Sequence, residues 1–243
     1  MRKRLSWLVP IALVVTMVVD LGTASAMRSP HKKKADPYGG FALLLKAQKP
    51  AKSDGGVASS SSSAGTTFTV PSITCGASET SGVIAGSGIF SSVSGWVSAG
   101  GIVVGCQSGV ATYAAEAVIN NTPSDLDMSP VPGDTISTSV VIVPGQTQVV
   151  VDDVTQDVSQ STTQAVGMVG TYISNGLDAE RAPAVLPVPD FGVMTFSNTS
   201  INGLTVKKAH GKAISRKTGK VLQIKTGKLN KAGNGYTETF VHS

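Results

Sequence analysis

The chain is short of charge, of aromatic rings and of cysteine: 14% of its 243 residues are charged, 5% are aromatic and two are cysteines. A nucleic-acid surface interleaves basic residues with stacking rings; rings this sparse exclude that pattern, and no nucleic-acid partner is expected. With three histidines, two cysteines and neither a CxxC nor an HExxH string, no zinc site, other metal or cofactor is expected. A GxSxG nucleophile elbow is also missing, since Gly105-Cys106-Gln107-Ser108-Gly109 carries its serine one position late. His31, His210 and His242 all fall in lysine-rich ends, so a Ser-His-Asp triad has no histidine in the body of the chain. Asp152, Asp153 and Asp157 offer oxygens of the kind calcium takes, but their spacing matches no defined loop and they read as exposed turn acids.

What is present starts with an export signal. Arg2, Lys3 and Arg4 precede an apolar run over 5–19, and Ala24-Ser25-Ala26 follows. A basic start, an apolar stretch shorter than the roughly 20 residues of a membrane span and a small-residue cleavage site describe a secretory signal over 1–26. A secreted, extracellular protein is therefore expected, beginning near Met27. Charge beyond it comes in blocks. Residues 28–52 hold seven basic groups against Asp36; residues 53–206 hold Arg181 against twelve acids; residues 207–243 hold nine basic groups against Glu238. The basic ends read first as solvated lysines on strands and turns, and second as a contact for an anionic cell envelope. In an oxidising compartment Cys75 and Cys106 are expected to pair.

Three regions follow: the signal over 1–26, a basic and partly flexible segment over 27–67, and a β-rich body over 68–243. The Ser/Gly-rich stretch 53–67 is low in complexity and reads as a linker. After it, short Val/Ile/Thr-rich runs recur with Gly, Pro, Ser or Asn between them, at 68–70, 101–105, 110–118, 135–143, 148–154, 193–196, 204–206, 221–225 and 236–241. Strand-sized runs about 10 residues apart, with little helical periodicity, predict an all-β antiparallel sandwich. The stretch 165–173 is read as a further strand.

The order of several short strings is more specific than any one of them. Phe68-Thr69-Val70-Pro71-Ser72-Ile73-Thr74-Cys75, Ser94-Gly95-Trp96-Val97, Gln107-Ser108-Gly109, Tyr113-Ala114-Ala115, Pro132-Gly133-Asp134-Thr135-Ile136, Glu180-Arg181 and Asp190-Phe191-Gly192-Val193-Met194-Thr195-Phe196 follow one another. The series resembles the glutamic peptidase (eqolisin) family, and Tyr38-Gly39-Gly40 resembles its aromatic-x-Gly near the mature N-terminus. The resemblance implies a concanavalin A-like sandwich of two bent sheets whose concave face holds substrate. It further implies a Glu acting as general base on a water and a Gln amide donating to the oxyanion.

Residue by residue, the family Gln falls on Gln107, and a cleft-lining Trp and Tyr fall on Trp96 and Tyr113. The catalytic Glu of the family string Ala-Glu-aromatic-aliphatic-x-Glu-Arg falls on Gly176, which has no side chain to hold a proton. Glu180 and Glu116 are the carboxylates that remain as stand-ins. Two functions follow: a lapsed member that holds extended polypeptide or glycan in its groove, and an acid endopeptidase running on Gln107 with Glu180 or Glu116. The first is preferred on the chemistry of Gly176, and a monomer is expected.

Overall fold

The computed structural model describes residues 38–44, 61–90, 97–165, 172–179, 186–218 and 220–242. Among them every regular element is a strand: β1 (Tyr38–Leu44), β2 (Ser62–Thr69), β3 (Ser81–Phe90), β4 (Val97–Gln107), β5 (Val110–Ile119), β6 (Thr122–Asp125), β7 (Thr135–Val143), β8 (Gln146–Asp153) and β9 (Val158–Gln164). There follow β10 (Tyr172–Ala179), β11 (Val193–Ile201), β12 (Leu204–Thr205), β13 (Lys212–Ile214), β14 (Lys217–Thr218), β15 (Val221–Leu222), β16 (Ile224–Thr226) and β17 (Tyr236–Phe240). A seven-stranded sheet runs β13-β1-β10-β3-β4-β5-β6, an eight-stranded sheet holds β16-β17-β11-β2-β7-β8-β9 with β12 beside β11, and β14 and β15 form a hairpin outside both. The two sheets pack face to face, which makes the fold the all-β sandwich the spacing of runs predicts.

Period-two patterning builds it. In β7 the buried positions are Ile136, Thr138, Val140 and Ile142, and in β8 Thr147, Val149, Val151 and Asp153, with half-buried or exposed residues between. The expected run 135–143 is β7 itself. The run 221–225 is instead divided between β15 and β16, because Gln223 turns inward to accept from Arg216 Nε at 3.0 Å. Of 165–173, Ala165 lies in a bend, 166–171 are outside the described residues, and Tyr172 and Ile173 open β10.

The linker expected over 53–67 is corrected at its C-terminal end. Residues 62–67 belong to β2, which is hydrogen-bonded between β7 and β11 in the middle of the eight-stranded sheet. Small hydroxyl residues suit this place because Ala64 and Thr66 face inward, where the Thr66 and Thr199 hydroxyls bond at 2.8 Å. The basic N-terminal segment contributes as well, since β1 pairs with β10. The signal over 1–26 lies outside the described residues.

Two cores fill the sandwich, one around Phe68, Ile102, Ile136, Leu177 and Phe196, the other around Ile89, Ile119, Ile142 and Ile173. A chain of rings crosses between the sheets. Phe41 of β1 meets Tyr236 edge-on at 4.8 Å, Tyr236 stacks on Phe196 at 5.1 Å, and Phe196 tilts against Phe68 at 5.5 Å. Asn175, wholly buried on β10, accepts from Ser87 Oγ at 2.8 Å and donates from Nδ2 to Ser200 O at 3.2 Å, so one side chain ties β10 to β3 and to the opposite sheet.

Candidate functional site

The resemblance directs attention to the outer face of the seven-stranded sheet, where Gly176 lies. One line of register partners crosses all seven strands: Ile214, Gly40, Gly176, Gly86, Gly101, Glu116 and Asp125. Their neighbours Ala85, Ser87, Ile102, Ala115, Asn175 and Leu177 are buried between the sheets, so alternation puts the line on the outward face. Four of its residues are glycine for a steric reason. Gly40 and Gly176 have φ of 125° and 139°, in the region that disfavours any side chain. A Cβ on Gly176 would run into Gly39 O, one on Gly40 into Asn175 O, one on Gly86 into Gly100 O and one on Gly101 into Ala85 O. The backbones of β1 and β10, and of β3 and β4, close upon each other there. Glycines at one level across four adjacent strands crease a sheet, which is how curvature is introduced.

This line decides what position 176 does. Position 176 carries no side chain, and its φ and the nearness of Gly39 O admit none without rearrangement of β1. That position 176 is glycine is thus fixed by the main chain.

Gln107 is elsewhere. It ends β4, exposed, and pairs with Val110 across a two-residue turn in which Ser108 and Gly109 have φ of 50° and 83°. Positive φ at both central residues is the tight hairpin turn that matches strand twist. The Gln-x-Gly string at 107–109 is therefore turn chemistry, with Gly109 placed for its φ. Gln107 shares the outward face with Gly101 but lies six residues further along β4, roughly 20 Å at the strand rise. Gly176 is two strands over from that level, so positions 107 and 176, the two halves of the implied dyad, are about 22 Å apart.

Glu116, half-buried on β5 opposite Gly101 and Asp125, faces outward. Its distance from Gln107 along the sheet is the same six residues, about 20 Å, so one water cannot bridge them. Glu180 and Trp96 lie outside the described residues. Tyr113 is corrected: the register sets it beside Val104, it packs on the inner core, and its hydroxyl accepts from Ile73 N at 3.3 Å. It does not line the outward face.

Cys75 and Cys106 form a disulfide that anchors the turn strand to the segment before β3. Just beside it an open cleft of about 580 Å³ is lined by Glu79, Thr80, Pro187, Val188, Asp190 and Phe240. Glu79 accepts from Gly76 N at 2.9 Å and Ser81 Oγ at 2.6 Å, and these bonds hold its carboxyl below the usual range. Ser81 is buried and inward-facing, so this acid, near Gln107 in register, is committed to the other side of the strand. Asp190 accepts from Gly192 N at 2.9 Å. Both carboxylates are fixed by turns rather than aimed at a substrate.

Of the aspartates weighed for calcium, Asp157 lies in the β8–β9 turn as expected, whereas Asp152 and Asp153 are corrected to the end of strand β8. Asp153 is buried and accepts from Thr155 N and Gln156 N, both at 3.0 Å, while Asp152 accepts from Ser159 Oγ at 2.5 Å. Asp134 of the Pro-Gly-Asp string is buried too. Burial opposes its ionisation, but the Val131 N–H at 2.8 Å and the Gln156 amide at 2.6 Å outweigh that and keep its carboxyl below the ordinary value. Sequence reasoning missed Asn175 and Glu238, two buried polar residues on inward positions of otherwise ordinary strands; only inside/outside parity against Leu177 and Tyr236 would have marked them.

By sequence, no family model matches the chain and no curated protein does. By structure, it is similar to scytalido-glutamic peptidase solved with a peptide-based transition-state analogue, with TM-score 0.64 and 15% identity over 84% of this chain and 97% of that one. SCP-B, a member of the eqolisin family solved with the tripeptide Ala-Ile-His, gives 0.62 and 14% over 84% and 97%. The aspergilloglutamic peptidase from Aspergillus niger gives 0.54 and 17% over 67% and 99%. Nearly the full length of each compared chain superposes at a TM-score above 0.5, so the chain has the fold of the glutamic peptidases in a divergent sequence.

Proposed function

We propose that this chain is a secreted, monomeric sandwich of the glutamic peptidase type that has lost peptide-bond hydrolysis and retains the outward face of its seven-stranded sheet for an extended polypeptide. The observation that carries the reading is the line Gly40-Gly176-Gly86-Gly101, which leaves bare backbone where the resemblance places a general base. Hydrolysis needs a base and an oxyanion donor around one water, and Gln107 lies about 22 Å from Gly176 and about 20 Å from Glu116. A face floored by glycine backbone, with Ala114 exposed and Ser174 half-buried near its centre, suits a flat, extended chain better than a globular ligand. Two of the similar structures were solved with a tripeptide or a peptide-based analogue, which supports polypeptide over glycan as the occupant. The rival reading is an acid endopeptidase that recruits Glu180 or Glu116 with Gln107.

The test is fluorescence anisotropy of labelled, denatured polypeptide with the whole chain between pH 4 and 7. Ala114→Trp fills the outward face without touching the core, and at least a tenfold weaker affinity is expected for it. Binding that is absent, or indifferent to Ala114→Trp, contradicts the proposal.

A further inference from the structure

The charge blocks of the sequence become two opposite edges in the fold. The strands β12 to β16 and their turns make one lateral edge, with β13 outermost in the seven-stranded sheet, β16 outermost in the eight-stranded sheet, and the two in contact. Lys207, Lys208, Lys212, Lys217, Lys220, Lys225, Lys228 and Lys231 are all exposed on it, as is His210. No acidic residue occurs between 207 and 237, and Glu238 is wholly buried in the core. Arg216 is buried as well, donating from Nε to Gln223 Oε1 at 3.0 Å and from Nη2 to Leu186 O at 3.1 Å, so the guanidinium fastens the edge while the lysines face outward. Glu116 and Asp125 on β5 and β6 and Asp152 and Asp157 at the β8–β9 hairpin lie on the far side, while Glu79 and Asp190 line the cleft beside Phe240 with their carboxyls engaged by Gly76 N, Ser81 Oγ and Gly192 N.

Such a molecule carries a large dipole, and a negatively charged surface would meet its lysine edge first. The chemistry of the edge narrows the partner. It holds no aromatic residue between 207 and 235 and no exposed arginine, so it lacks both the stacking platform and the planar fork used to read nucleic acid. Lysines act as separate point charges, which fits a diffuse negative field. Exposed aliphatic residues sit among them: Leu204 on β12, Val221 on β15 and Val241 after β17 are each about half exposed. Val221 belongs to the β14–β15 hairpin, which lies outside both sheets and brings Lys217, Lys220 and Val221 together. Cations flanking an exposed aliphatic side chain match a bilayer interface, where headgroups attract the charge and the acyl boundary takes the apolar group.

We propose that this edge docks the protein on an anionic lipid surface. The test is co-sedimentation of the whole chain with vesicles of pure phosphatidylcholine or of phosphatidylcholine with 30% phosphatidylserine. Binding is expected with the anionic vesicles alone and to fall at least tenfold between 0.1 and 0.5 M NaCl. Lys217→Gln, Lys220→Gln, Lys225→Gln and Lys228→Gln combined should cost on the order of 25-fold, taking two of the four as surface-seated at about fivefold each. The same four positions as arginine should retain binding, and Val221→Asp should weaken it. The basic residues of 28–52 remain in every variant, so unchanged binding by the glutamine variant overturns the proposal. Equal binding to both vesicle types overturns it, as does capture by a soluble polyanion such as heparin with none by vesicles.

Discussion

Glu238 gives a pH dependence of stability whose sign and window follow from its surroundings. It lies on β17, wholly buried, on the inward side with Tyr236. The Thr226 hydroxyl lies within reach of two acceptors, Ile214 O and Glu238 Oε2, the latter at 3.1 Å, while accepting from Gly40 N at 3.0 Å. One hydroxyl proton cannot serve both acceptors. When it goes to the carbonyl, Glu238 keeps its contact only by carrying a proton of its own. Burial pushes the carboxyl from 4.5 up to about 8, against a smaller lowering by Thr226. Tyr236, its titratable neighbour on the same face, is raised by its own burial and then by the charge Glu238 would carry. The folded state therefore holds a proton that the unfolded chain releases above about pH 4.5. The stabilising difference is complete at and below that pH, falls as pH rises, and is gone once pH passes 8, for a total of ~5 kcal/mol. Urea unfolding followed by intrinsic fluorescence at steps from pH 5 to pH 9 reads this as a falling midpoint at constant slope. Glu238→Gln keeps the shape and a proton donor without the titration, and should flatten the profile. A wild-type midpoint that is level across the window, or a Gln variant with the same decline, refutes the reasoning. Asp134 and Glu79, both lowered, act in the opposite sense and only in acid below the usual carboxylate range.

Further outcomes follow from single contacts. Gly176→Ala strains φ and presses its Cβ on Gly39 O, and should lower stability by about 2–3 kcal/mol in a urea titration. Reduction of Cys75–Cys106, which closes a 31-residue separation, should cost about 3–4 kcal/mol by chain entropy, seen as a lower melting temperature in dithiothreitol. Asn175→Ala removes the bonds to Ser87 and Ser200 and should cost about 2–4 kcal/mol, whereas Gln107→Ala, at an exposed hairpin end, should change stability by less than about 0.5 kcal/mol.

The sandwich was legible because β7 and β8 alternate cleanly and because turn residues punctuate the body at even spacing. Strands made of small residues were not. β3 reads Ser-Gly-Val-Ile-Ala-Gly-Ser-Gly-Ile-Phe, where glycine lowers strand propensity yet is required by the closeness of Gly100 and Gly101. β2 hides in a serine tract for the same reason, its hydroxyls being satisfied by partners far along the chain. The outward glycine line joins residues 40, 86, 101 and 176, and no local string announces it. Gln-Ser-Gly reads equally as a hairpin turn, and the register of β4 against β5 is what places Gln107 at such a turn. Gly176 was found through its motif, but the backbone reason that it must be glycine needed coordinates.

The central proposal, that no carboxylate among the described residues shares one water with the Gln107 amide and that hydrolysis is lost, meets its most direct test in mass spectrometry of a denatured polypeptide incubated with the whole chain from pH 2 to 6. The account predicts no new peptide termini above those of a protein-free control. New termini that vanish with Gln107→Ala together with Glu180→Gln or Glu116→Gln would contradict it.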